Sequence, residues 1–126
     1  MLETETEWDA VMKIDRVTIA INNMPAMLRF YNGVFDADLK LIHGTEFYAG
    51  TLAEGVTVLF APNDIAKVDA KQNRQQLRFI VDDLKLIRER VTEYGGQVLQ
   101  QGDTTDATTI GVMDPDGNTI EFAVLS

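Results

Sequence analysis

A pattern of strand, helix and three strands that runs through the chain twice limits its fold more than any other feature. Residues 14–21 alternate, with Val17, Ile19 and Ile21 on one side and Arg16, Thr18 and Ala20 on the other, the period-two signature of a strand. Asn22 and Asn23 follow as helix caps. Met24, Met27, Leu28, Tyr31 and Val34 then recur at helical spacing. Pro25 fits the first turn, where its missing N–H would have had no partner. Three more strands are expected near residues 39–42, 46–52 and 56–61, with turns at Gly44 and at Glu54-Gly55.

The order then repeats. Residues 76–81 alternate, Asp82 and Asp83 cap a helix, and Leu84, Ile87, Val91 and Tyr94 line its buried side. Gly95-Gly96 ends it. Strands are expected near residues 97–100, 108–113 and 119–125, the last two joined by Asp114-Pro115-Asp116-Gly117-Asn118. Residues 16–24 align without gaps on residues 76–84. Such a repeat of supersecondary units has to be settled before any fold is assigned. The expected organisation is a flexible tail at 1–12 and a single domain at 13–126. The domain divides into module one at 13–62, a polar linker at 63–74 and module two at 75–126. Each module should carry a helix on the back of its sheet, leaving the sheet fronts to face a shared cleft, the default place for a ligand. Met24, Met27 and Tyr31 are expected in the core.

Composition removes several functions. The chain of 126 residues has no cysteine, so disulfides, thiolate metal sites and thiol nucleophiles are excluded. Its 11 basic residues face 20 acidic ones, a formal net charge of -9. Without a basic cluster neither nucleic acid nor an anionic membrane is an expected partner. No apolar run approaches a membrane span, and the N-terminus lacks the basic and apolar regions of a signal peptide. A cytoplasmic protein is expected. The single histidine, His43, cannot build a two-histidine iron centre, and beside Gly44 it reads as an exposed turn residue.

Three segments resemble one family. RVTIAINNMPAMLRFYNGVF is similar to the opening of vicinal oxygen chelate proteins, the glyoxalase/bleomycin resistance protein/dioxygenase superfamily. LRFIVDDL is similar to the start of their second module, and DPDGNTIEF to their closing hairpin. The resemblance implies an α+β fold in which two βαβββ modules form a curved, cleft-enclosing mixed sheet. It also implies metal ligands on the first and last strand of each module, in the metal-dependent members. Carried over, those positions fall on Arg16, on or near Val58, on Gln76 and on Glu121.

That set is poor. A guanidinium stays protonated and repels a cation, and valine has no donor. Gln76 and Glu121 remain as the only candidates for a metal. The expectation is therefore a protein without a cofactor, a divalent metal being possible but disfavoured. It would bind a small organic molecule in the cleft between the modules. Arg16, Thr18, Val58, Phe60, Gln76, Arg78, Ile80 and Glu121 are the candidate ligand-binding residues, and Ala123 shares the inward parity. The alternative is a lyase or isomerase of the same superfamily, with Glu121 as acid/base or as part of a degenerate metal site. An ion pair between Arg16 and Glu121 is the purely structural reading of those two residues. The resemblance also implies a homodimer.

Overall fold

The computed structural model describes residues 13–63, 75–99 and 108–125. The expected tail at 1–12 and nearly all of the linker, residues 64–74, lie outside the described residues.

Module one contains β1 (Arg16–Ile21), α1 (Met24–Val34), β2 (Lys40–Leu41), β3 (Tyr48–Ala53) and β4 (Val56–Pro62). Module two contains β5 (Leu77–Ile80), α2 (Leu84–Glu93), β6 (Gln97–Val98), β7 (Thr109–Met113) and β8 (Thr119–Ala123). Each forms a mixed four-stranded sheet, ordered β1-β4-β3-β2 and β5-β8-β7-β6. The first strand of each module runs parallel to its last, and the other neighbours are antiparallel. The repeat read from the sequence is thus a repeat of topology.

Local chemistry fixes the helix ends. The Asn23 side chain accepts a hydrogen bond from the Ala26 N–H at 3.2 Å, and the Asp83 side chain accepts one from Leu86 N–H at 3.1 Å. Each satisfies one of the donors a helix leaves open at its start. Gly95, just past α2, has φ of 93°, which an L side chain rarely adopts. Gly117 in the β7–β8 turn has φ of 94° for the same reason.

The helices cover one face of the sheets and join the modules. Met27, Phe30, Tyr31 and Val34 of α1 share one core with Ile87 and Val91 of α2, with Val58 and Phe60, and with Ile110, Val112, Ile120 and Phe122. Phe35, at the end of α1, packs edge-on against Phe79 with ring centroids 4.9 Å apart and lies 5.6 Å from Phe122. Gly33 lets the Tyr94 ring approach the α1 backbone so closely that a Cβ there would collide with it. Arg29 donates to the Glu93 carbonyl at 3.0 Å and lies 5.6 Å over the Tyr94 ring.

The β7–β8 turn adds a polar clamp. Asp116 accepts from the Asn22 and Asn23 N–H groups at 2.7 and 3.0 Å, next to the start of α1. The Tyr31 hydroxyl donates to the buried Asp114 carboxylate at 2.7 Å. Burial, helped by Asp114 and Asp116, pushes the Tyr31 hydroxyl well above the usual tyrosine range.

This packing corrects one expectation. Among the described residues no strand of one sheet pairs with a strand of the other, and the sheets are neither closed nor strongly curled. The modules meet through α1, α2 and the helix-facing side of the sheets. A single curved sheet that encloses a cleft is therefore not what one copy of the chain forms. No helix among the described residues is long and apolar enough to cross a membrane.

Candidate functional site

Strand parity separates the candidate residues into two groups. Residues paired across neighbouring strands share a face. On the first sheet Val17 pairs with Val58 and Ile19 with Phe60, whereas Arg16 pairs with Thr57 and Thr18 with Leu59. Val58 and Phe60 are 0% exposed and belong to the core. They lie on the helix side, so the expectation that they line a ligand site is corrected. Arg16 and Thr18 point to the opposite face, the front, and are exposed.

On the second sheet the front carries Arg78, Ile80, Thr119, Glu121 and Ala123. Arg78 is the in-register neighbour of Glu121, and Ile80 that of Ala123. The Arg78 Nε lies 3.5 Å from Glu121 Oε1, with the two side chains 55% and 35% exposed. Glu121 is therefore paired by Arg78, not by Arg16. Such a half-exposed pair contributes little to stability. Gln76 donates from Nε2 to the Thr119 hydroxyl at 3.1 Å. Ala123 is 0% exposed, whereas Ile80, beside it, is 52% exposed. An aliphatic side chain half in water next to a guanidinium and a carboxylate can take an apolar group while its neighbours orient a polar one.

Arg16, Val58, Gln76 and Glu121 do not assemble a metal site. Val58 is on the far side of its sheet, Arg16 is a cation, Gln76 is hydrogen-bonded to Thr119, and Glu121 faces a guanidinium. Among the described residues there is no group of three or more His, Cys, Asp or Glu that could hold a metal ion. His43 is exposed beside Gly44, whose φ is 79°. An open depression of about 330 Å³ is lined by Met24, Leu41, Thr45, Glu46, Tyr48 and Pro62. Leu41 pairs with Tyr48, and Tyr48 with core Phe60, so this depression is on the helix-facing side and away from the front.

The family model of the Glyoxalase/Bleomycin resistance protein/Dioxygenase superfamily matches residues 13–122, which span both modules. The chain belongs to this superfamily. Its fold recurs in a glyoxalase-related enzyme from Fulvimarina pelagi, with 21% identity, a TM-score of 0.71, and coverage of 91% of this chain and 89% of that one. A glyoxalase/bleomycin resistance protein/dioxygenase family enzyme from Burkholderia phytofirmans PsJN is 15% identical with a TM-score of 0.74, over 91% and 100% of the two chains. TnmS3, an antibiotic binding protein from Streptomyces sp. CB03234, is 16% identical with a TM-score of 0.64, over 93% and 98%. At such identities the likeness concerns the fold. A search among curated proteins gave no match.

Members of this superfamily bind small molecules, and that general function extends to this chain. On β4 the face read from the sequence differs from the one observed. There, the choice of Val58 followed the metal-ligand position and not the apolar parity, which marks the helix side.

Proposed function

We propose that the chain holds a small organic molecule against the fronts of its sheets through side chains alone, without a resident metal. The observation that carries this reading is the second-sheet front, where half-exposed Ile80 adjoins the Arg78–Glu121 pair. Apolar surface beside convergent polar groups is the usual composition of a ligand site. The donor set supports the metal-free form, because two of the four positions where relatives carry ligands hold Arg16 and Val58. That TnmS3, of the same fold, is an antibiotic binding protein agrees with a binding role.

A homodimer belongs to the same reading. No other described element covers the fronts in one copy, and Ile80 there is 52% exposed. A second copy laid against them would enclose the cleft that a single copy lacks. The modules would then pair between chains around the ligand, while the helices join them within each chain.

The test is a saturation-transfer screen of small aromatic and alkyl compounds, acidic, neutral and basic, against chelator-treated protein. The expected result is at least one saturable binder whose signal is lost in Ile80→Asp. The absence of any binder of any charge would overturn the reading. Glu121 is the carboxylate on this front, which keeps lyase or isomerase chemistry as the second reading. A turnover unchanged in Glu121→Gln would remove it.

A further inference from the structure

The front of the first sheet carries a second feature. Arg16 is in register with Thr57, and Thr57 with Thr51, so the three lie in one row across β1, β4 and β3. All three are exposed. The next row on the same face runs Thr18, Leu59, Ala49 and Lys40. None of these seven positions is acidic, in a chain with 20 acidic against 11 basic residues. Lys40 is engaged by Asp38 at 3.4 Å. The Arg16 side chain makes no ion pair or hydrogen bond among the described residues.

We infer that this row binds the head of a small carboxylic acid. Neighbouring strands are about 4.8 Å apart, so the long Arg16 side chain can lean along the row toward both hydroxyls. A guanidinium presents a planar fork of donors that matches the two oxygens of a carboxylate. Threonine hydroxyls can donate to the same oxygens from the side. No acid stands in the two rows, and the Asp38 carboxylate beside them is paired with Lys40, which lowers the repulsion that the rest of this chain would impose on an anion. Threonine favours strands for steric reasons, which accounts for hydroxyls on an exposed sheet. It does not account for two of them in register with an unpaired guanidinium. Arg16 therefore sets the charge of the ligand, and Thr51 and Thr57 set its orientation. The inference rests on the reading of the sheet fronts as a ligand site and names the class of ligand.

The experiment titrates the isotope-labelled full chain with benzoate, phenylacetate and cyclohexanecarboxylate, and with the primary amide of each, following backbone amide shifts. The expected result is that the acids perturb Arg16, Thr18, Thr51 and Thr57 and the amides do not. Arg16→Met should weaken acid binding by about tenfold or more, as loss of a charge-assisted contact does. The Thr51→Val, Thr57→Val double variant keeps side-chain shape and should weaken it severalfold. Acid binding that ignores the double variant would mean an ordinary surface arginine and overturn the inference. Amides that bind as well as acids, unaffected by Arg16→Met, would overturn it too and leave the ligand site standing. If neither series binds and the broader screen is also empty, both fall together.

Discussion

At the residue scale, the modules are held by a few polar groups with no slack. Tyr31 and Asp114 are buried and hydrogen-bonded to each other. Removing the hydroxyl in Tyr31→Phe should cost about 2 kcal/mol, the range for a hydrogen bond to a charged group, measurable by urea unfolding. The same pair sets a pH dependence. Burial raises the Tyr31 hydroxyl above its ordinary value, so the folded state keeps a proton that the unfolded chain releases near pH 10. The stability this contributes is whole below about pH 10 and is lost as pH rises from there through the raised folded value. The wild type should therefore lose stability more steeply above that pH than Tyr31→Phe does. None of this was legible in the sequence. Tyr31 read as a helix-face core residue, which it is, but its partner is 83 positions away. Asp116 likewise read as a turn residue, and the Asn22 and Asn23 N–H groups it holds are 94 and 93 positions away. Periodicity reports which side of an element is buried, not which distant group meets it.

At the element scale the sequence was more informative, because strands and helices announce themselves by period and cap. Both helices start after the residues expected to cap them, Asn23 and Asp83. Asp83→Ala should destabilise by about 1 kcal/mol, read as a lowered melting temperature. The β2 and β6 strands shrank to two residues each, as edge strands often do to limit open pairing surface. The error on β4 was one of face. Alternation divides β4 into Val56, Val58 and Phe60 against Thr57, Leu59 and Ala61 but does not say which set meets the helix. The larger, uniformly apolar set is the one that buries, since the hydrophobic gain lies there. Reading that set as the ligand face gave Val58 and Phe60 a role their 0% exposure denies. The contact between α1 and α2 depends on glycine at 33, where Tyr94 fills the space of a side chain. Gly33→Ala should cost about 1–3 kcal/mol through overpacking, and its unfolding midpoint would show it.

At the scale of the whole molecule, joining the modules by their helices leaves both sheet fronts without a covering element among the described residues. The same chain thus gains a single shared core and loses the enclosed cleft that the two-module repeat first suggested. On the proposed reading a second copy would restore that enclosure, so sedimentation equilibrium should find a dimer at micromolar concentration, and Ile80→Asp should shift it toward monomer. A strict monomer would contradict this arrangement. The claim beneath all of it is that side chains, not a metal, hold the ligand. The most direct measurement is a binding titration of one ligand from the screen, before and after chelation, with elemental metal content determined on both samples. The account predicts equal affinity in the two samples and far less than one metal ion per chain, even after nickel, cobalt, zinc, manganese and magnesium are offered. Stoichiometric metal, with binding that disappears on chelation and returns with the metal, would contradict it.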